Sequence, residues 1–464
     1  MYTLDDILTG TGGTLDPEYP GAAGLILREV SIDSRAVGPG SLFVALAGTV
    51  SEGHDFIANA VSRGAQAVLV RQDWQPAAPL GPDVAVVRVA DTLKGLQALA
   101  TWWRSRFPAL KVIGITGSIG KTSTKEFLAA VLGECYTVLR SEGNLNSETG
   151  LPLSVLRLRA EHEVAVFELG GGARMGELSE LAAIAQPQVG VITNVSHSHL
   201  ASMGTLENLA YHKAELVRAL PTDGVAILNY DDELVRAMAA QSPARVLTYG
   251  LDPAADIWAD GIESQGLQGV QCTFHRGDEA LHLRLPLLGV HSVHTALRAA
   301  AAAEAVGMNW KDIVIGLQKG DRQQLRLLVV QGINETTLID DSYNANPAST
   351  LAALNLLHEM PAPRVAVLGD MLELGAYEEE GHIKVARRAI EVVDRLLVVG
   401  PLGRTIGEEA LRCGMNAEAV AFAETNEQAI DYLRRTLTPG TFVLVKGSHG
   451  MHMEEIVETL RVPH

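Results

Sequence analysis

The residues best placed for chemistry lie in one stretch, Lys111 to Glu126, which reads KVIGITGSIGKTSTKE. The apolar run from Val112 to Ile115 meets a glycine-rich turn, and apolar residues then recur at helical spacing, which predicts strand, loop and helix. Such a loop presents consecutive backbone N–H groups to an anion, and the helix behind it adds the positive end of its dipole. The stretch therefore predicts a nucleotide-phosphate site.

Two side chains behind the loop suit ATP with a bound metal. Lys121 can reach the β- and γ-phosphates, and the hydroxyl of Thr122 can bind Mg²⁺. The strict pattern G-x-x-x-x-G-K-[ST] is not met, because five residues rather than four separate Gly114 from Gly120. The alternative is a chance glycine turn before an ordinary helix. The residues that we expect to contact ATP here are Thr116, Gly117, Ser118, Gly120, Lys121, Thr122 and Ser123.

Polar residues also stand at the ends of later predicted strands. Glu168 closes the apolar run 164–169, and His199 follows the run 189–195. Nearly continuous apolar strands separated by helical segments indicate a parallel sheet, whose carboxyl ends share one crevice. Glu168 and His199 are therefore expected near Thr122, around a metal held by nucleotide phosphates. Taken singly, Glu168 also fits an exposed strand-end acid, and His199 a hydrogen-bonded loop histidine.

Composition restricts the class of protein. The net charge is −18 with no basic run, which argues against a nucleic-acid partner. The three cysteines are far apart, so a disulfide framework or zinc site is not expected and a reducing compartment fits. The start MYTLDDILTG has acids where a signal peptide needs positive charge, and no apolar run reaches membrane-spanning length. We expect a soluble, cytoplasmic protein without membrane insertion.

The 464 residues suggest about three domains, all of them α/β. We place a small α/β domain at residues 1–88, a central parallel-sheet P-loop ATPase domain at 89–320, and a Rossmann-like domain at 321–464. The last has no G-x-G-x-x-G, so no second cofactor is predicted. The proline-rich segment 73–83 is predicted to be an exposed loop.

Hydrophobic patterns place individual elements along the chain. Predicted helices cover 56–61, 349–358 and 383–392. Predicted strands cover 42–46, 67–70, 112–115, 164–169, 189–195, 225–229, 337–341, 364–369, 395–399, 420–422 and 441–445.

Motifs spread over nearly the whole chain resemble those of the Mur ligase family. They are DSR from Asp33, EGHDF from Glu52, GITGSIGKTSTKE, GNLNSETGLPL, FELGGG, ITNVSHSHL, LAYHKAEL, DDSYNANP and GDMLELG. The last two resemble the member that adds D-alanyl-D-alanine, and the DNPR sequence typical of the diamino-acid-adding member is absent. The resemblance implies a cytoplasmic, ATP-dependent ligase of peptidoglycan precursor synthesis. Its expected substrates are UDP-N-acetylmuramoyl-tripeptide and D-alanyl-D-alanine, joined through an acyl phosphate, and a monomer is expected.

The resemblance also implies roles for individual residues. Ser34 and Arg35 would face the UDP end of the substrate, and Asp341 would hold the ribose of ATP. Arg326 would reach the γ-phosphate. Lys213 would be carried as a carbamate and join Thr122, Glu168 and His199 at Mg²⁺; an ordinary solvated helix lysine is the alternative. Residues implied to lie on the substrate side, several of them near the acyl acceptor, are Asn146, Asn344, Asn346, Lys446 and Ser448.

Two segments depart from the family's pattern. Where the family often reads HNVxN, this chain has His291, Ser292, Val293, His294 and Thr295, so the adenine contact differs. Arginines common after KGS are replaced by His449 and His452.

Two other functions remain open at this point. One is a sister ligase that adds a different amino acid to the same precursor, against which the motifs near the carboxyl end argue. The other is a nucleotide-binding regulatory protein without catalysis, which has no need for Glu168, His199 and Lys213 together.

Overall fold

The computed structural model describes residues 1–48, 52–172, 174–196, 203–320 and 327–462. The chain divides into two compact units. The first unit comprises Met1–Gly114, Tyr136–Gly171 and Gly176–Gln188, and the second comprises Ile115–Cys135, Gly172–Met175 and Val189–His464. This division does not test the predicted domain boundaries near residues 88 and 320, which stay a prediction.

The strands of the described residues are numbered in chain order. They are β1 (Tyr2–Thr3), β2 (Thr14–Pro20), β3 (Ile26–Leu27), β4 (Glu29–Ser31), β5 (Ser41–Val44), β6 (Ala65–Arg71), β7 (Ala85–Val89), β8 (Lys111–Thr116), β9 (Val138–Arg140), β10 (Val164–Glu168), β11 (Val189–Ile192), β12 (Val225–Asn229), β13 (Arg245–Gly250), β14 (Ile257–Ser264), β15 (Val270–Arg276), β16 (Glu279–Leu285), β17 (Leu328–Gly332), β18 (Thr336–Asp340), β19 (Arg364–Gly369), β20 (Arg395–Val399), β21 (Val420–Ala423) and β22 (Phe442–Lys446).

The α-helices are numbered in the same way. They are α1 (Leu4–Thr11), α2 (Ile57–Ser62), α3 (Thr92–Ser105), α4 (Lys121–Leu132), α5 (Gly150–Val155), α6 (Glu177–Ala185), α7 (Leu206–Arg218), α8 (Glu233–Ala237), α9 (Val293–Ala305), α10 (Trp310–Lys319), α11 (Pro347–His358), α12 (Glu378–Val392), α13 (Gly403–Arg412), α14 (Asn426–Thr436) and α15 (Glu454–Leu460).

The first unit contains a five-stranded sheet of order β2-β7-β6-β5-β4. Strands β4 to β7 run parallel, and β2 joins antiparallel at one edge. The same unit pairs β9 with β10 in parallel. Glu168 is the last residue of β10, so its carboxylate stands at the carboxyl end of a buried strand, as predicted.

In the second unit, β11, β12, β13 and β14 pair in parallel, and β14, β15 and β16 then continue antiparallel. A second sheet has the order β17-β18-β22-β19-β20-β21, in which only the β17–β18 pair is antiparallel. The α/β fold with parallel sheets is confirmed. The prediction missed the antiparallel hairpins β14–β16, because their alternating polar residues lack the nearly continuous apolar run of buried parallel strands.

The core of the second sheet explains why its strands are apolar throughout. Ala366 and Leu368 of β19 point into one buried cluster, whereas Val365 and Val367 point into another. Successive side chains of a strand alternate between the two faces, so a sheet covered on both faces needs apolar residues at every position. The polar loops that follow these strands lie at their carboxyl ends, which are not covered by the apolar clusters on the two faces.

The predicted element positions agree closely with the structure for the most regular segments. Strands β12, β19 and β20 coincide with the predicted ranges 225–229, 364–369 and 395–399, and the other predicted strands are found with ends shifted by a few residues. The segment 73–83 contains no helix or strand, as predicted. Within the described residues, no helix combines the length and the apolarity required to cross a bilayer.

Candidate active site

The phosphate loop lies between β8 and α4, as the sequence predicts. Gly117 has φ +138° and Gly120 has φ +82°, backbone conformations that glycine adopts without steric cost. A side chain at Gly117 would collide with the Oγ1 atom of Thr193. The loop therefore requires glycine at both positions, and its backbone is the surface that a ligand meets.

Asn194, just beyond β11, holds the loop in place. Its Oδ1 accepts a hydrogen bond from the Ile119 N–H at 3.0 Å, and its Nδ2 donates to the Ile119 carbonyl at 3.1 Å. The Asn194 carbonyl accepts from the N–H of Ser118 at 2.9 Å. One side chain thus satisfies both polar groups of a residue at the tip of the loop.

Ser118 and Ser196 make a second connection between the same two segments. The Ser196 N–H donates to Ser118 Oγ at 2.9 Å, and Ser118 Oγ donates to the Ser196 carbonyl at 3.2 Å. Together with the contacts of Asn194, these bonds fix the path of the loop before any ligand binds.

Lys121 lies over the loop, as expected for a phosphate-binding lysine. Its Nζ donates to the carbonyls of Gly117 at 2.7 Å and Ser118 at 3.1 Å. Thr122 is buried and Ser123 is half-buried in the first turn of α4. No side chain caps α4, whose N-cap is Gly120, so the positive end of the helix dipole adjoins the glycine loop directly.

Two fully buried hydroxyls flank the loop. Thr116 Oγ1 and Thr193 Oγ1 have no hydrogen-bond partner within the described ranges. Buried polar groups are nearly always paired in native proteins, so such a pair of hydroxyls indicates a place where a polar ligand or water belongs. The glycine cradle and Lys121 fit a polyphosphate.

Asp341 and Lys446 lie together at the carboxyl ends of the paired strands β18 and β22. Lys446 Nζ is 2.6 Å from Asp341 Oδ2 and also donates to the Asn344 carbonyl at 2.8 Å. Lys446 is 2% exposed and the Asp341 side chain is 18% exposed. The structure therefore pairs Asp341, which is predicted to bind ribose, with Lys446, which is predicted to lie on the acceptor side.

Asn346 and Ser448 have structural hydrogen bonds in addition to any role with substrate. Asn346 is the N-cap of α11, where its Oδ1 accepts from the Ser349 N–H at 2.9 Å. Ser448 Oγ accepts from the Leu372 N–H at 2.8 Å. The Asn344 side chain accepts from the next N–H, that of Ala345, and the residue is exposed.

A cleft in the second unit adjoins the start of α11. Its lining residues are Ser196, Asn346, Pro347, Ala348, Leu351, Tyr377 and Lys384. Because Ser196 is bonded to the phosphate loop through Ser118, this cleft opens beside the loop.

In the first unit, the buried Glu168 is hydrogen bonded to the half-buried Asn146. Asn146 Nδ2 donates to Glu168 Oε1 at 2.8 Å, and the Glu168 N–H donates to Ser141 Oγ at 3.1 Å. Glu168 is only 2% exposed. The carboxylate is thus oriented by an amide, as the ligands of hard cations usually are.

Ser34 and Arg35 differ sharply in exposure. Ser34 is buried, whereas the Arg35 side chain is 84% exposed and pairs with Asp33 at 2.8 Å. Hydrogen bonds from the side chain and the N–H of Arg35 lower the pKa of the Asp33 carboxyl. Arg35 therefore lies at the surface of the first unit with its charge paired to Asp33.

The EGHDF motif is also built around a side-chain contact. His54 Nδ1 lies 2.5 Å from Glu52 Oε1, and its Nε2 accepts from the Arg71 N–H at 3.1 Å. The imidazole thus ties the loop after β5 to the end of β6.

Lys213 is buried at 1% exposure on α7, which excludes the ordinary solvated helix lysine. His199 and Arg326 lie outside the described residues, so their expected roles stay predictions. Within the ranges that the structure describes, no group of three or more histidine, cysteine, aspartate or glutamate side chains forms a metal site. Thr122 and Lys213 belong to the second unit and Glu168 to the first.

The two departures from the family's pattern have local structural roles. Ser292 Oγ donates to the Gly289 carbonyl at 2.7 Å, and Thr295 Oγ1 accepts from Arg298 Nη2 at 2.9 Å. His449 stacks on Tyr343 with ring centroids 5.0 Å apart.

Sequence reasoning missed Asn194 and Arg298. Asn194 lies inside the ITNVSHSHL motif, and its position directly after an apolar strand was the available signal. Arg298 interrupts the alanine-rich helix α9, where a single cation among apolar residues was a signal of burial or function.

Three family profiles match the chain. They are the Mur ligase family, catalytic domain, at residues 27–102, the Mur ligase middle domain at 115–303, and the Mur ligase, glutamate ligase domain, at 325–449. A relative from Escherichia coli (strain K12), the UDP-N-acetylmuramoyl-tripeptide–D-alanyl-D-alanine ligase, is 35% identical over 464 residues, covering 99% of this chain and 98% of its own.

Solved structures agree with the profiles. MurF from Acinetobacter baumannii has a TM-score of 0.87 and 30% identity, covering 99% of this chain and 98% of its own. MurF from Thermotoga maritima, solved in complex with ADP, has a TM-score of 0.78 and 25% identity, covering 94% of this chain and 98% of its own. The chain belongs to the Mur ligase family, and within it to the MurF group.

Proposed function

We propose that the protein is an ATP-dependent ligase that adds D-alanyl-D-alanine to UDP-N-acetylmuramoyl-tripeptide in peptidoglycan precursor synthesis. The observation that carries this proposal is the phosphate loop, fixed by Asn194 and covered by Lys121, in a chain with full-length similarity to MurF proteins. The loop supplies the ATP site that amide formation needs, and the family supplies the class of the two other substrates.

The first step activates a carboxylate. An oxygen of the tripeptide's terminal carboxylate attacks the γ-phosphorus of ATP, the bond to the bridging oxygen breaks, and ADP leaves an acyl phosphate behind. This transfer brings several anionic groups together, so its main requirements are alignment and positive charge. Lys121 supplies that charge beside the loop, and losing one such contact costs about 3 kcal/mol at the barrier.

The second step forms the amide. The amino group of D-alanyl-D-alanine attacks the acyl carbon, inorganic phosphate departs, and a proton is released. Water has to be kept from the acyl phosphate until then. We place the acceptor near Asn344, Asn346, Lys446 and Ser448, of which Lys446 and Ser448 are buried and rigidly hydrogen bonded.

The residues for Mg²⁺ are Thr122, Glu168, His199 and Lys213 in this proposal. When bound, Mg²⁺ neutralises phosphate charge and orients the phosphate oxygens for transfer. A carbamate at Lys213 is compatible with the burial of this side chain, since reaction of its neutral amine with CO₂ releases a proton and gives an anionic oxygen ligand. Glu168 offers an ordered carboxylate through its bond from Asn146.

The remaining assignments follow the same proposal. Ser34, Arg35 and Asn146 bind the UDP-linked substrate, Asp341 binds the ribose of ATP, and Arg326 reaches its γ-phosphate. The protein acts in the cytoplasm as a monomer, which light scattering of the purified protein checks.

The deciding experiment measures ADP release with a panel of acceptors. The expected result is rapid release only when UDP-N-acetylmuramoyl-tripeptide and D-alanyl-D-alanine are both present, with the pentapeptide product identified by mass. Release with a single amino acid and the corresponding shorter precursor would instead identify a sister ligase. ADP binding without any acceptor-dependent release would identify a non-catalytic nucleotide-binding protein.

A further inference from the structure

Arg298 on α9 is a buried cation with few partners. It is 4% exposed, and its Nη2 donates to Thr295 Oγ1 at 2.9 Å. Its Nε has no hydrogen-bond partner among the residues that the structure describes. No carboxylate among the described residues forms an ion pair with the guanidinium of Arg298. A buried charge in this condition is costly to the folded protein.

Another buried arginine of the chain shows what a purely structural role looks like. Arg104 is 3% exposed, and its nitrogens donate to the carbonyls of Ala185, Phe107 and Leu110 at 3.1, 2.8 and 3.4 Å. Carbonyl oxygens surround and satisfy that guanidinium. Arg298 has two side-chain partners, Thr295 and Tyr249, and no such set of carbonyls, so its Nε is left available to a ligand.

Arg298 lies beside the phosphate loop, which points to a phosphate group as its ligand. Its Nη2 lies 3.0 Å from the point that a Cβ atom of Gly120 would occupy, directly beside the last glycine of the phosphate loop. Gly120 is the N-cap of α4 and precedes Lys121. The guanidinium therefore adds positive charge at the end of the loop where the helix dipole is also positive.

Neighbouring groups hold the guanidinium at this place. Its Cζ lies 5.8 Å from the centroid of the Tyr249 ring. Tyr249 is fixed because its hydroxyl lies 3.0 and 2.9 Å from the carbonyl oxygens of Ile192 and Thr193, which share its one proton. Burial raises the pKa of Tyr249 to about 12, so this hydroxyl stays a proton donor at neutral pH.

We propose that Arg298 is a further nucleotide-binding residue, whose guanidinium contacts the phosphate groups of ATP beside Gly120 and is oriented by Thr295. This inference rests on the proposed function, because it assumes that the loop binds ATP. It assigns to α9 a part in phosphate recognition, in addition to Lys121.

The test compares Arg298→Met with Arg434→Met, which removes an arginine from the exposed end of α14. Titration calorimetry gives the affinities of both variants and the unchanged protein for ADP, ATP and adenosine. The proposal expects Arg298→Met to lose about 10- to 100-fold in affinity for ADP and ATP, the range expected for the loss of a hydrogen bond to a charged group. Its affinity for adenosine, which has no phosphate, should match that of Arg434→Met.

Each other result has a definite meaning. Unchanged ADP affinity in folded Arg298→Met, or an equal loss for adenosine and ADP, would overturn the phosphate contact. If the unchanged protein itself binds no ADP, the proposed ATP site fails, and the role of Arg298 fails with it.

A second variant covers the case in which Arg298→Met does not fold. Thr295→Val removes only the hydroxyl that orients the guanidinium and keeps the side-chain volume. It should weaken ADP binding about 2- to 10-fold, in line with the loss of one modest hydrogen bond, and leave adenosine binding unchanged. An unaltered ADP affinity in this variant would count against the orienting role of Thr295, and with it against the proposal.

Discussion

Lys446 and Asp341 form an ion pair across 105 residues of sequence, with Nζ 2.6 Å from Oδ2. The lysine ends β22 and the aspartate follows β18, two strands that pair in parallel, so the register of the sheet brings them together. Neither residue is free to move independently. A charged group of a ligand that contacts one of these two side chains therefore also interacts with the charge of the other.

The first prediction concerns the stability of this pair. Lys446→Met removes the cation that lies 2.6 Å from the Asp341 carboxylate, and we expect the free energy of unfolding to fall by about 2–3 kcal/mol, less than for a fully buried pair because the Asp341 side chain is 18% exposed. Asp341→Asn in the same background removes the negative charge of the carboxylate and should restore part of the loss. Urea denaturation of the two single variants and the double variant measures the coupling; additive losses would show that the pair contributes nothing.

The second prediction concerns Asn194. Replacing it with alanine removes both bonds to Ile119, and the phosphate loop then loses its fixed path. We expect ADP affinity to fall about tenfold, while unfolding free energy falls by about 1–2 kcal/mol. Asn416→Ala is the matched control, since the side chain of this exposed asparagine accepts, in the described structure, only from the nearby N–H of Glu418. Equal ADP affinities in the two variants would show that the Asn194 side chain does not hold the phosphate loop in its nucleotide-binding conformation.

The third prediction concerns Lys121. The Lys121→Ala protein should stay folded, with an unchanged circular dichroism spectrum, and lose ADP release almost completely because the γ-phosphate loses its cation. Lys319→Ala is the control, because Lys319 forms an exposed pair with Glu134 that contributes little. Near-normal turnover in folded Lys121→Ala would show that ATP binds elsewhere in the protein.

The fourth prediction concerns the carbamate proposed at Lys213. Lys213→Ala should lose most activity, and a short carboxylic acid such as acetate should restore part of it by supplying the missing oxygen ligand. ADP release with and without acetate, at fixed ionic strength, is the measurement. Lys213→Ala with full activity in CO₂-depleted buffer contradicts the proposal, as does electron density for a bare ammonium beside bound metal and nucleotide.

The sequence by itself determined the elements whose chemistry is local. The phosphate loop was predictable because its strand, glycines, Lys121 and helix are contiguous, and glycine is needed wherever the backbone itself forms the site. Strands such as β12 and β19 were predictable for a related reason, since burial on both faces leaves a continuous apolar run.

Only the tertiary structure decided which distant residues serve that loop. Asn194 bonds Ile119 across 75 residues, and Arg298 reaches Gly120 from another helix, contacts that no local pattern records. The structure also gave Asn346 a helix-capping role and joined Asp341 to Lys446. Strand register and helix packing fix these pairs, and both depend on the free energy of the whole core rather than on any single segment.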